Sequence, residues 1–238
     1  MRILLADDEP LARLVLRRIL ERMGHEVDVV HHEDVASMGE SALVILCVPD
    51  DAIAGVAASI APSEDRVLAH VAGSRNLDVL APHPRVGSLH QLMALPSGSD
   101  AERLIGATYC VAGDELLREV ALSLAGRVIT LRDDQRTIYH AAAVVASNHL
   151  VALMGQVRTL AESIGLTLED FLPLADQTID DVARYGPDDA LTGPASRGDM
   201  ATIDAHLAAI PESERSTYVA LANAAFELSE LRRSQTPA

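Results

Sequence analysis

Short apolar runs alternate with amphipathic stretches as far as about residue 131, and beyond that point the alternation stops. Residues 2–6, 27–30, 42–48, 67–71, 108–111 and 127–131 read as buried strands. Between them, 11–19, 51–60 and 114–125 have helical spacing, and Gly24 ends the first helix in the manner of a C-cap glycine. Strands separated by crossover helices pair in parallel, which predicts an α/β fold with a doubly wound, mostly parallel sheet. Ligands of such sheets sit beyond the carboxyl ends of the strands. The turns there carry Asp7/Asp8, His31/His32, Pro49/Asp50 and Gly73/Ser74, whereas Gly87 to His90 reads as a loop beyond the run containing Pro82, His83 and Pro84. From 134 to 164 the chain is one Pro-free stretch rich in Ala and Val, and helices follow at about 168–185, 199–209 and 211–233. The predicted division is 1–132 for the sheet domain and 133–238 for an all-helical domain.

Charge narrows the partners. A net charge of −16 argues against nucleic acid and against anionic membrane surfaces, both of which need a basic footprint. With no Trp, two Phe and four Tyr, stacking platforms for bases are scarce. All nineteen basic residues are Arg, so Schiff-base chemistry and a phosphate-loop lysine are excluded. Cys47 and Cys110 lie in apolar runs and read as small buried hydrophobes, not as metal ligands. Asp7, Asp8 and Glu9 interrupt the N-terminal apolar stretch, so no secretory leader is expected. The longest unbroken apolar run is seven residues, Ala42 to Val48, so no membrane span is expected either. A cytoplasmic, reducing setting is the expectation.

Four stretches carry a family resemblance: Val48-Pro49-Asp50-Asp51-Ala52-Ile53, Gly87-Ser88-Leu89-His90, Tyr139 to Asn148, and Leu191 to Asp199. Together they resemble Rossmann-like proteins with a helical C-terminal domain of unknown function. That group is similar in layout to pyrroline-5-carboxylate reductase and the 6-phosphogluconate dehydrogenase superfamily. The resemblance spans roughly residues 40–210. It implies a nicotinamide-binding N-terminal domain, preferably for NADP, and a helical domain that pairs two subunits and closes the active site between domains. Two departures stand out. Such proteins open with a Gly-x-Gly-x-x-Gly turn, whereas Gly24 is the one glycine in the first 38 residues, and Gln91 follows His90 where a proline is usual.

Residues 1–27 instead resemble the first strand and helix of a response-regulator receiver, in which adjacent acids hold Mg²⁺. The rest of receiver chemistry is unsupported: the third strand ends in Cys47-Val48-Pro49, and no lysine exists. Where a glycine loop would let backbone approach a pyrophosphate, this chain has Asp7, Asp8 and Glu9. Two like charges about 6 Å apart at an effective dielectric near 20 repel by roughly 3 kcal/mol before screening. Three readings of Asp7 and Asp8 follow: helix capping, a Mg²⁺ site, or direct contact with a dinucleotide.

The remaining candidates fall along the predicted mouth of the sheet and on the helices. His31 and Glu33 stand where a ribose would be read, NAD being favoured if Glu33 accepts from a 2′-hydroxyl. Val48, Pro49, Asp50 and Gly73 complete the cofactor candidates. His140, Val144 and Asn148, four apart, are expected on one helix face with Ser147 alongside. His90 and His140 are the candidate proton donors, Ser147 and Asn148 the orienting groups, and Ser88, Thr192 and Arg197 the substrate contacts. The expected function is an NAD(P)-dependent oxidoreductase-like protein reducing a small carbonyl or imine. The alternative is a catalytically silent binding or regulatory module on the same scaffold.

Overall fold

The computed structural model describes residues 2–7, 17, 20–21, 24–96 except 31–40, and 101–235. By packing these divide into two compact units, residues 1–147 and 148–238. The strands are β1 (Arg2–Asp7), β2 (Glu26–Val30), β3 (Leu43–Cys47), β4 (Val67–His70), β5 (Val86–Gln91), β6 (Thr108–Gly113) and β7 (Arg127–Thr130). They form one sheet in the order β2-β1-β3-β4-β5-β6-β7. All neighbours are parallel except β5 and β6. The predicted doubly wound, mostly parallel architecture is what the chain adopts.

β3 and β4 are buried along almost their whole length, as unbroken apolar strands covered on both faces should be. Alternate residues feed two cores. Leu5, Leu43, Ile45, Ala69 and Leu89 pack with Leu117, Val120 and Ala121 of α2 (Leu116–Ser123). Leu4, Val44, Leu46 and Leu68 pack on the other face, against Ile53, Val56 and Ala57 of α1 (Ile53–Ser59).

One segment departs from the sequence expectation. Gly87 to His90, read as a loop, is the middle of β5, hydrogen-bonded to β4 on one side and antiparallel to β6 on the other. Its Gly, Ser and His obscure the strand because the usual β-branched signal is missing.

After β7 the chain is continuously helical from 133 to 162. It comprises α3 (Arg136–Val144), a π-helical turn at Val145–His149 and α4 (Leu150–Glu162). This 30-residue run is long and apolar enough, by length and composition alone, to cross a membrane. α3 belongs to the first compact unit, so compact packing runs past the point where strand alternation ends.

The second unit is helical, as expected: α4, α5 (Leu172–Tyr185), α6 (Pro187–Ala190), α7 (Pro194–Arg197), α8 (Met200–Ala209) and α9 (Glu212–Gln235). Buried Gln156 of α4 donates from Nε2 to the Glu214 carbonyl at 3.0 Å and to its carboxylate at 3.1 Å. Arg232 pairs with Asp189 at 3.1 Å, and Arg233 donates to the Ser196 carbonyl at 3.0 Å, tying α9 to α6 and α7. Large apolar side chains remain uncovered on this unit, with Val151 at 72%, Ile164 at 71% and Leu174 at 63% exposure.

Candidate active site at the carboxyl edge of the sheet

β3, β4 and β5 run in parallel, so the turns after β3 and β4 and the last residues of β5 share one edge. Register also aligns side chains across the sheet. His70 of β4 pairs with Ser88 of β5, and His90 of β5 pairs with Cys110 of β6. Residues two apart on a strand share a face, so Ser88 and His90 lie on the same side. α3 packs over these positions with three residues spaced at i, i+3 and i+4: Arg136, Tyr139 and His140.

Arg136 is buried, with 2% exposure, and makes two polar contacts. Its Nε donates to Asp133 Oδ1 at 2.8 Å, and its Nη2 makes a short hydrogen bond to the Ser88 hydroxyl. Asp133 Oδ2 in turn accepts from the Leu77 backbone N–H at 3.2 Å. The start of α3 is thereby fastened to β5 and to the loop after β4.

Three residues on, the Tyr139 hydroxyl lies 2.7 Å from His90 Nδ1, with the rings edge-on at 88°. Cys110, paired with His90 across β5 and β6, also lies against Tyr139. Burial, then the neighbouring His140 and Arg136, bring His90 down to about 4 against a weaker upward pull from Asp50. Burial pushes Tyr139 and Cys110 upward, so the phenol and thiol keep their protons at neutral pH.

Gly73 completes the cluster. A Cβ at this position would lie 2.8 Å from His90 Nε2 and 2.9 Å from His140 Cδ2. The backbone beyond β4 is therefore bare where the two imidazoles meet it. Next to it the Ser74 hydroxyl donates to Asp50 Oδ2 at 2.8 Å, and Arg75 Nε stands 3.7 Å from the same oxygen.

His70 lies under this layer with no exposure, and neither ring nitrogen has a partner in hydrogen-bond geometry. Asn76 backbone is near enough to favour its charged form, but burial and Arg136 dominate and hold His70 at about 4.

The first unit thus gathers Asp50, Gly73, Ser88, His90 and His140 from among the predicted site residues. Val48 is buried in the core beside α1, and Pro49 forms the turn whose carbonyl accepts from Ala52 N–H at 2.9 Å. Ser88 is fully buried and committed to Arg136. Ser147 donates to the Ala143 carbonyl at 2.7 Å within the helix. Asn148 opens the second unit, which also holds Thr192 and Arg197, both exposed. A π turn at 145–149 interrupts the α-helical run between His140 and Asn148.

Asp8 and His31 lie outside the described residues, and only the backbone of Asp7 is described, at the end of β1. Among the described residues no group of three or more His, Cys, Asp or Glu could hold a metal ion.

Sequence reading passed over Arg136 and Arg75, and gave no site role to Tyr139, Cys110 or Ser74. For Arg136 and Tyr139 a signal existed, since the 136/139/140 spacing puts Arg, Tyr and His on one helical face.

Fold and site together define a Rossmann-like α/β protein with a helical C-terminal unit. The Rossmann-like domain model matches residues 15–94, beginning after the acidic first turn. The domain of unknown function DUF2520 matches residues 106–225, half of the chain, and the chain belongs to that family. No curated protein matches its sequence.

Among solved structures, a candidate NADP oxidoreductase from Bacteroides fragilis is 22% identical. Its TM-score is 0.78, covering 95% of this chain and 98% of that one. A Thermotoga maritima protein is 20% identical with a TM-score of 0.75, covering 98% of this chain and 100% of that one. The Plasmodium falciparum pyrroline carboxylate reductase, solved with NADP bound, is 11% identical with a TM-score of 0.61 and 98% coverage of both chains. At these identities the likeness establishes the fold alone.

Proposed function

We propose that this protein is an NAD(P)-dependent oxidoreductase that reduces a small carbonyl or imine, with NADP the favoured cofactor. The observation that carries the reading is the His90–Tyr139–His140 cluster closing on the bare backbone of Gly73 at the carboxyl edge of β4 and β5. Polar groups that converge on such an edge, with perturbed protonation, mark a default binding site in open α/β sheets.

The residues there suit a nicotinamide dinucleotide. Gly73 leaves room for close approach, Asp50 and Ser74 offer acceptor and donor for ribose hydroxyls, and Arg75 supplies a cation. When bound, the reduced nicotinamide would supply the hydride. His90 and His140 would hold the substrate's heteroatom, and Arg136 would keep α3 seated so that both imidazoles stay in place.

The acidic run Asp7-Asp8-Glu9 favours a second reading, a catalytically silent module whose cofactor affinity has been lost to charge repulsion. Turnover separates the two. Purified protein should oxidise NADPH in the presence of one or more members of a panel of small aldehydes, ketones and cyclic imines. Replacement His90→Ala should then cut kcat by about 10²-fold or more. No binding of NADPH at millimolar concentration, with no member of a broad panel turned over, would favour the silent module.

We further propose that a second copy of the chain covers the apolar surface of the helical unit. Ile179, Val182 and Tyr185 lie with Leu172 at helical spacing on α5, each at least 39% exposed. A stripe of that kind calls for a protein partner. Gln156, buried and bonded to Glu214, supports a protein-covered rather than a lipid-facing α4.

A further inference from the structure

Tyr139 lies between two polar side chains, and its hydrogen-bond geometry bears on what His90 can do. His90 Nδ1 is 2.7 Å from the phenolic oxygen, while Nε2 is the ring atom nearest Gly73, on the side where a ligand would approach. The two nitrogens of a neutral imidazole differ, one donating and one accepting, and the partner of one decides the role of the other. A phenol is the stronger donor and an imidazole nitrogen the stronger acceptor, so the 2.7 Å contact is best made as Tyr139 O–H donating to Nδ1. Cys110, the residue paired with His90 across β5 and β6, stands on the far side of Tyr139.

We propose that Tyr139 is a positioning residue that fixes His90 as the neutral Nε2–H tautomer, making it a hydrogen-bond donor to a carbonyl oxygen rather than an imidazolium acid. The inference rests on the oxidoreductase reading and narrows it. A neutral N–H can stabilise negative charge developing on a carbonyl oxygen. An imine nitrogen gains most from a full proton, which a neutral imidazole gives up poorly. The site therefore selects a small aldehyde or ketone over an imine.

Groups facing His90 come from four directions: Tyr139, His140 and Arg136 on α3, Cys110 on β6, Asp50 after β3, and the Gly73 backbone after β4. Arg136 and any charge on His140 oppose protonation of His90, Asp50 favours it, and burial opposes it most. The environment on every side is consistent with an uncharged ring at neutral pH.

Long-range ¹H–¹⁵N NMR of the imidazole nitrogens, recorded on the full chain without cofactor, tests this directly. In the wild type His90 should show one tautomer, with Nε2 protonated and Nδ1 bare. In Tyr139→Phe both tautomers should appear, and the titration midpoint of His90 should rise by about one pH unit, because a bond to the neutral form is lost. Cys110→Ala should leave the tautomer unchanged. A wild-type spectrum with Nδ1 protonated, or Tyr139→Phe retaining the single Nε2–H form, would overturn the assignment. Because the wild-type spectrum alone decides the tautomer, misfolding of a variant does not shelter the proposal. Loss of the oxidoreductase reading would instead show as absent NADPH turnover with the tautomer intact.

Discussion

Arg136 and Asp133 form a pair of unequal exposure, 2% against 41% for the side chains, and that asymmetry fixes which substitution hurts more. Asp133→Asn leaves a buried guanidinium without its counter-charge, and should destabilise the protein by roughly 2–4 kcal/mol. Arg136→Met leaves a carboxylate that water can solvate, and should cost less, on the order of 1–2 kcal/mol. Urea unfolding of the two variants checks the order. Gly73→Ala tests the closest packing of the cluster, since its Cβ must displace the His90 and His140 rings. A loss of about 1–3 kcal/mol is expected, with shifted imidazole resonances for both histidines.

His70 adds a pH dependence. Its folded value is about 4, below the unfolded value, so the unfolded chain takes up a proton first on acidification. Stability should fall as pH drops from about 6.5 towards 4, by up to about 3 kcal/mol, and then level off. His70→Leu should flatten that segment of the profile. At this scale the sequence was half legible. His90, His140 and Gly73 were recognisable as polar or small residues in telling places, but Cys110 acquires meaning only when β6 is set beside β5.

β5 and the π turn are where element-level reading failed, each for a physical reason. β5 carries Gly87, Ser88 and His90, and it is stabilised by pairing on both sides and by Arg136 and Tyr139 above it. None of those partners is local in sequence. The π turn escaped because residues 134 to 164 satisfy helical spacing throughout, and a single wide turn leaves no compositional mark.

The β6–α2 connection offers a test of an element boundary. Asp114 Oδ1 accepts from Leu116 N–H at 3.1 Å, and the carboxylate is held in two contacts by Arg85, at 2.9 and 3.2 Å. Burial alone would raise Asp114, but the hydrogen bonds from Arg85 and Leu116 prevail and hold it below the usual carboxylate range. A depressed folded value means the stabilisation is complete above the unfolded value, near 3.9, and is lost as pH falls through the folded one. Asp114→Ala should therefore cost about 1–2 kcal/mol at pH 7 and much less at pH 2, read from thermal melts at the two values.

For the whole molecule, the sheet class and the helical C-terminal region were readable from the strand–helix alternation and its end near 131, because buried parallel strands leave long apolar runs. Assembly is argued from apolar surface rather than from any local motif. Sedimentation should show a dimer, and Ile179→Glu combined with Val182→Glu on α5 should shift it to monomer while the helical signal persists. A monomeric wild type at micromolar concentration would remove the dimer from the account.

The claim on which the functional reading depends is that a nicotinamide dinucleotide binds at the carboxyl edge of β3, β4 and β5. Titration of the protein with NADPH, followed by backbone and imidazole NMR, measures this most directly. The expected result is a saturable response centred on Asp50, Gly73, Ser74 and His90. No response at millimolar NADPH, or a response confined to residues 148–238, would contradict it.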